Sequence, residues 1–516
     1  MGANGLLAVF AILIAWYTLL TDERRVDLRL RISKFNLVFI IFFISTILTV
    51  IYSKVLLSVF PIKPIPWILG FNEDTLAFTC LCIIIIFFGI KVQGKILPKA
   101  NLTCWISVSE TYLRAKKIEQ LGYLFDKYHE QLFNIISNKK WYVRVHNYLA
   151  PSLSPIEMDE EKVKKLRFKK VRRFLSKFFP YEDKRQNDIQ LNISNLLKSK
   201  VFSHYLIDTY PHVAMKATCL QLRYNCEYNT NFFTYLISNP NSIMYRELRD
   251  NQNRSYTGEY ALDESNALLN FYLNDIRMAI DLEIWKPVGN YVISYIKKQK
   301  GSSCFYNHPD NYYSSSDERW ECPIFVGLTF FDVMVSTAIF KRSKNNMWLM
   351  YYRCFLKEIL ESYEKSSSID VNREFPMRFD YLIYELISRC NIWAGATEHL
   401  NYDNWTTEDK EQSPEFFASK TLGEMMYLII TSEKMHNNQK TYLLEIIIKR
   451  MDSLDKKKKS AYSKEIFNNL IRAFSPASID INAVNKLRQL YTGVDHVLKN
   501  KNSTFEVELS KYPDQQ

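Results

Sequence analysis

Residues that could do chemistry are few in this chain of 516, and their spacing argues against most of what their types suggest. His129-Glu130 begins like the metalloprotease helix motif, in which histidines one turn apart hold zinc and the glutamate acts as base. The second histidine would fall at Phe133, so the ligand pair is missing. His308, Asp310, Asp317 and Glu318 are metal-ligand types close in sequence, but they stand in a Ser/Tyr/Asn-rich stretch where such groups are ordinarily solvated. Glu358 and Glu361 lie one helical turn apart, a spacing at which carboxylates ordinarily face water. Glycine-rich phosphate loops, G-x-G-x-x-G, G-x-S-x-G and H-E-x-x-H are all absent from the sequence. The reading is a protein that is not an enzyme, without catalytic residue, metal site or cofactor. A site assembled from distant segments is the alternative.

Two other patterns point to binding. Lys162, Lys164, Lys165, Arg167, Lys169, Lys170, Arg172, Arg173 and Lys177 fill nine of sixteen consecutive positions. Val163, Leu166, Val171, Phe174, Leu175 and Phe178 fall at helical spacing on the other side. Such a helix presents a solvated face, a contact to anionic lipid, or a contact to a nucleic-acid backbone. Ser45, Thr49 and Ser53 recur every four residues within an apolar run and share one helix face. Small hydroxyl faces let membrane helices associate or line a wet path; the local alternative is a bond from each hydroxyl to the carbonyl four residues back.

The elements that would position these residues begin with three uncharged apolar runs, Gly5–Leu20, Asn36–Tyr52 and Leu76–Ile90. With their flanks they predict membrane helices over about residues 3–20, 36–53 and 75–91, near the ~20 residues that cross a bilayer. The linker after the first run carries Arg24, Arg25, Arg29, Arg31 and Lys34; the next, Ser53–Thr75, has only Lys54 and Lys63. Lys91, Lys95 and Lys99 follow the third run. This asymmetry places the first linker and the C-terminal bulk in the cytoplasm and the N-terminus outside, a multi-pass protein of the inner membrane. A cleaved signal peptide is disfavoured, because no basic residue precedes the first run and no small-residue cleavage site follows it.

Beyond the anchor (1–99) the chain reads as helices. Aromatics are abundant, with 33 Phe and 33 Tyr against 13 Gly and 16 Pro, which favours an all-α fold over turn-rich β architectures. Nine scattered cysteines with no C-x-x-C pair fit a reduced compartment. An amphipathic connecting helix is expected within 100–150, running on from Ser107 with Leu113, Leu121, Leu124, Phe125, Tyr128, Leu132 and Ile135 on one face. A helical domain bearing the basic helix follows over 151–297, broken at Arg249–Gly258 and at Lys286-Pro287-Val288-Gly289. Residues 298–322 form a polar loop, read as a domain boundary or functional surface loop. A C-terminal helical region spans 323–498, and the polar tail 499–516 is expected to fray.

Membrane helices, then the amphipathic stretch LRAKKIEQLGYLFDKYHEQLFNII, then a helical domain with segments such as IMYREL and IWKPVGNYVISYI: this layout resembles the membrane-spanning effectors of bacterial retron anti-phage systems. The third apolar run departs from the two membrane helices usual in that family. The resemblance implies a toxin held silent by a reverse transcriptase and its RNA–DNA hybrid (msDNA). Release on infection would damage the inner membrane, an abortive infection. Self-association is expected of such a toxin. Two further classes are a membrane-tethered sensor or scaffold, and a tethered enzyme with a non-local active site.

Overall fold

The structure is a computed structural model that describes residues 15, 18–52, 73–94, 96–138, 140–149, 175–176, 178, 183–220, 222, 225–251, 253–255, 257–301, 303–310, 313–344, 347–364, 370, 373–400, 406–472, 478–499 and 503–512. Among them it is all-helical with short 3₁₀ turns; the only extended pairings are isolated bridges. The chain divides into two compact units, Met1–Asn225 and Cys226–Gln516. The boundary expected at 298–322 therefore lies some seventy residues earlier, at Asn225/Cys226.

The first unit begins with α1 (Asp22–Arg31), α2 (Lys34–Ile51) and α3 (Glu73–Gln93). Ser33 starts α2 by accepting the Asn36 N–H at 3.2 Å. α2 and α3 pack antiparallel as a hairpin: Ile47 buries against Ala77, Cys80, Leu81 and Ile84, and Phe39 meets Phe87 at 5.2 Å near the feet. The body follows as α4 (Leu102–Arg114), α5 (Ile118–Ser137), α6 (Trp141–Leu149), α7 (Lys184–Lys198), α8 (Lys200–Thr209) and α9 (Pro211–Thr218).

The single connecting helix expected from Ser107 is broken into α4 and α5. Lys116 takes a left-handed conformation (φ 56°), and the Lys117 and Lys116 amides turn back to the carbonyls of Tyr112 and Leu113 at 2.9 and 3.2 Å. This helix-ending motif usually recruits glycine; here a lysine adopts it, so neither Gly nor Pro marks the stop. α5 does bury Leu121, Leu124, Phe125, Tyr128 and Leu132 as its periodicity predicts, with Ile136 rather than Ile135 completing the face. Gly122 is required there: a Cβ would stand 2.5 Å from the Tyr205 ring of α8.

The second unit comprises α10 (Asn225–Ser238), whose first turn holds the boundary, α11 (Ile243–Asp250), α12 (Ala267–Leu273), α13 (Ile276–Asp281), α14 (Trp285–Lys298), α15 (Pro323–Phe340), α16 (Met350–Ser362), α17 (Arg378–Gly395), α18 (Thr407–Glu411), α19 (Pro414–Thr431), α20 (Asn437–Lys456), α21 (Ser460–Leu470), α22 (Ile481–Thr492) and α23 (Thr504–Ser510). α15 is its spine, 89% buried over eighteen residues. α19 and α21 approach closely at Gly423, where a Cβ would meet the Ile466 carbonyl at 2.3 Å.

Three expectations change here. The break at Pro287 is instead the first turn of α14, where a missing N–H costs no helical bond. The tail does not fray over 504–510, because Phe505 and Leu509 are buried and Thr504 donates to Asp455 at 2.9 Å. The polar stretch 298–322 folds onto the unit: Tyr306, Tyr313 and Trp320 are buried, the Tyr306 hydroxyl meets the Cys322 Sγ at 3.0 Å, and the Arg378 guanidinium lies 3.8 Å over Phe305. Low hydropathy concealed an aromatic cluster, in which the Tyr306 hydroxyl finds a partner in Cys322.

At the start of α19, Glu415 is fully buried and neither carboxylate oxygen has a hydrogen-bond partner among the described residues. Burial pushes its pKa from 4.5 up to about 7, against the weaker pull of Arg342 and Lys459. A raised acid is protonated in the fold while still ionised in the unfolded chain, so stability is full below about 4.5 and falls as pH rises to about 7. Glu415→Gln should leave thermal stability nearly unchanged at pH 4.5 and raise it by roughly 2–3 kcal/mol at pH 8. Unfolding curves at the two pH values check this; an equal effect at both would remove the titration.

Candidate membrane-facing hairpin and its junction

A helix at a protein surface in water shows polar residues on its outer face. The α2–α3 hairpin does not. Leu37, Val38, Ile41, Phe42 and Leu48 on α2, with Phe78, Ile85, Ile86 and Ile90 on α3, stand exposed on its outer faces. That is a contiguous apolar surface, unlike the single apolar residues scattered over an ordinary exterior. Three of its hydroxyls are satisfied locally: Thr46, Thr49 and Thr79 donate to the carbonyls of Phe42, Ser45 and Thr75 at 2.8–2.9 Å. Ser45 and Thr49 lie exposed, turned away from the seam with α3; Ser53 is outside the described residues.

By length and hydropathy, one described helix could cross a bilayer by itself, and it is α15, interior to the second unit. α2 qualifies only together with α1, from which it is bent by 92°, and the apolar part of α3, Thr75–Lys91, is shorter. The first apolar run lies mostly outside the described residues. The expected three-span, multi-pass arrangement is thus not supported on this measure.

What sets the hairpin apart is how its feet are held. Arg31, at the end of α1, is 1% exposed and Asp27 is 5% exposed, one turn before it. The Arg31 guanidinium donates to the Tyr128 hydroxyl at 3.0 Å, to the Lys91 carbonyl at 2.6 Å and to the Asp27 carboxylate. Asp27 also accepts from Tyr128 and from Lys127, the latter at 2.8 Å. One buried charge pair thereby ties α1, the end of α3 and the middle of α5. Two amide clamps reinforce it. Asn101 donates to the carbonyls of Leu30 and Ile32 at 2.7 and 3.0 Å, and the Gln131 amide closes both ways on Leu97 at 2.8 and 2.7 Å.

The remaining sequence candidates are dispersed. All nine basic residues from Lys162 to Lys177 lie outside the described residues. The Asp310 carboxylate accepts from the Ser314 amide and hydroxyl at 3.1 and 2.9 Å, and no metal-holding group of three ligand types occurs among the described residues. Glu358 does not face water as its spacing suggested: its side chain is 13% exposed and ion-pairs with Lys297 at 3.3 Å.

Sequence reasoning missed a second buried centre. Asp332, the single charge in α15, is 1% exposed and accepts from Arg254 at 3.0 and 3.1 Å, Tyr260 at 2.8 Å, Arg389 at 3.3 Å and the Trp393 indole at 2.7 Å. The loop expected at Arg249–Gly258 is strapped down by this pairing and by the Ser336 hydroxyl on the Gly258 carbonyl at 2.7 Å. A lone aspartate in an apolar helix was the available signal, since a buried carboxylate demands donors.

Compared with protein-family models, curated proteins and solved structures, the chain matches none.

Proposed function

We propose that this chain is a membrane-anchored effector whose α2–α3 hairpin seats in a bilayer while its helical body answers to a cytoplasmic partner. The observation that carries this reading is the hairpin's apolar outer surface on helices whose feet are pinned to the body. The eighteen residues of α2 correspond to about 27 Å of rise, and the apolar part of α3, Thr75–Lys91, to about 25 Å, somewhat under the ~30 Å of bilayer hydrocarbon. On this reading both feet of the hairpin sit on the body's side of the bilayer. The run at residues 3–20 is assigned to a third crossing from an external N-terminus, with the body in the cytoplasm beneath the inner membrane. The layout resemblance supplies the partner and outcome: a reverse transcriptase with its RNA–DNA hybrid holds the toxin silent, and release damages the inner membrane. Copies would associate through the outward Ser45/Thr49 faces, and the basic residues 162–177 would meet phosphates of the hybrid or of lipid.

Phe42→Lys with Ile86→Lys tests this by charging both outer faces without touching the seam, each lysine costing about 2.5–3.5 kcal/mol in mid-bilayer. Wild-type protein expressed without its partner should stay in carbonate-washed membranes and admit a membrane-impermeant dye. The double variant should drop at least about tenfold in the membrane fraction and admit no dye. Wild-type protein that washes off overturns the anchor. Retention without dye uptake overturns the effector and leaves a tether or scaffold.

A further inference from the structure

Beside the feet of the hairpin, α5 forms one wall of a cleft of about 930 Å³, a size typical of ligand sites at roughly 300–1,000 Å³. Ile96 and Lys99, from the segment that leaves α3, border it together with Tyr123, Asn134 and Ile135 of α5. Ile96 is 77% exposed, so an apolar edge stands at the side nearest the hairpin.

The charges in this cleft are unequally committed. Asp126 pairs with His212 at 3.0 Å, Glu130 with Lys216 at 3.4 Å, Lys127 with Asp27 at 2.8 Å, and Asp183 with Lys140. Lys99 is exposed and has no ion pair among the described residues. Two of the cleft's acids are thus matched by lysines and the third, Asp126, by a histidine, and the Lys99 ammonium is left for an anion.

Deeper in, His129 lines the cleft at 6% exposure. Its Nδ1 lies 2.5 Å from the Asp126 carbonyl, an acceptor, so Nδ1 carries a hydrogen, and with a single ring hydrogen Nε2 is left as an acceptor. Nε2 has no partner among the described residues. A buried acceptor without a donor is costly, and a ligand hydroxyl would satisfy it.

We propose that this cleft binds the headgroup of an anionic phospholipid, its phosphate at Lys99, a hydroxyl donating to His129 Nε2 and the acyl side of the glycerol against Ile96 and Ile135. The lipid as source rests on the hairpin being in a bilayer; the chemistry required, a phosphate ester bearing hydroxyls, does not. Bound there, the lipid would bridge bilayer and α5 at the point where the hairpin is pinned.

The test uses full-length protein in discs of phosphatidylcholine mixed in equal parts with phosphatidylglycerol, with intact-mass measurement of the lipids retained on release. Lys99→Glu reverses the proposed anion contact. Asn134→Trp fills the cleft from an exposed position and leaves the core alone. Wild type should retain phosphatidylglycerol over phosphatidylcholine by at least about fivefold, and each variant should lose that preference while staying in the disc. Equal retention by wild type, or a preference undisturbed in both variants, overturns the site. Failure to enter discs of any composition would instead overturn the anchor. In that case glycerol 3-phosphate and inorganic phosphate are titrated into detergent-solubilised protein. Saturable binding of the ester that Lys99→Glu abolishes makes a soluble phosphate ester the ligand, and no binding overturns the cleft as well.

Discussion

Arg31→Met is expected to free the feet of the hairpin from the body, at a cost of about 3–5 kcal/mol, the usual penalty for breaking one side of a buried ion pair. The methionine fills the space but leaves Asp27, 5% exposed, with only Lys127 and Tyr128, and it strands the Lys91 carbonyl. Trypsin cleavage within residues 91–101 should speed up by about two orders of magnitude, because cleavage there follows local opening. Asp27→Leu added to Arg31→Met removes the uncompensated charge and should recover most of the loss, since an apolar pair of similar volume often replaces a buried ion pair at little cost. A single variant cleaved within about threefold of wild type would mean that the two amide clamps hold the junction without the charges. In the effector reading, partner-independent toxicity should change in the single variant and return towards wild type in the double.

Asp332→Ala is expected to do more, and in the other unit. It deprives Arg254, Tyr260, Arg389 and Trp393 of a shared acceptor in one step. The Arg389 side chain is 9% exposed and would retain only Glu385 as an ion-pair partner, so a buried guanidinium is left under-paired. Losses above about 4 kcal/mol are rare for one substitution, and this site combines two of their causes, stranded buried donors and a broken charge network. The unit Cys226–Gln516 should lose protease resistance at 37 °C while Met1–Asn225 keeps its own. Asp332→Asn keeps one acceptor oxygen and should fall between. A soluble Asp332→Ala protein as protease-resistant as wild type would show that the pairing adds nothing net.

The sequence made the helices legible where burial repeats along one face. α2 and α3 appear within a few residues of the spans expected at 36–53 and 75–91, because an uncharged apolar run determines them. The break at Lys116 was not legible, since its left-handed turn is made by an exposed lysine, closed by local backbone hydrogen bonds and not marked by a glycine. Arg31 was read with Arg24, Arg25 and Arg29 as one basic linker. Only the fold separates them, by bringing Tyr128 and Lys91 to Arg31 across 97 and 60 residues. Arg254 and Asp332, 78 residues apart, are the same case. The cleft beside the hairpin was wholly hidden, because its walls come from the α3 foot, α5 and the rim at Lys140 and Asp183. Such a cleft has no local spacing to search for.

The right-angle turn between α1 and α2 gives the hairpin a crosswise footplate. On the proposed seating, with the stem along the bilayer normal, the 92° bend would lay α1 in the plane of the headgroups, with its exposed Arg24 and Arg29. A stem with a footplate has a depth stop: it cannot sink further when the hydrocarbon is thicker than the stem is long. The lipid must then thin around it, at fractions of a kcal/mol per Å of mismatch. On the proposed seating, that cost summed over copies would make bilayer thickness a thermodynamic variable for the hairpin. Thin membranes would accept the stem without distortion, while thick ones would draw copies together to share a single dimple.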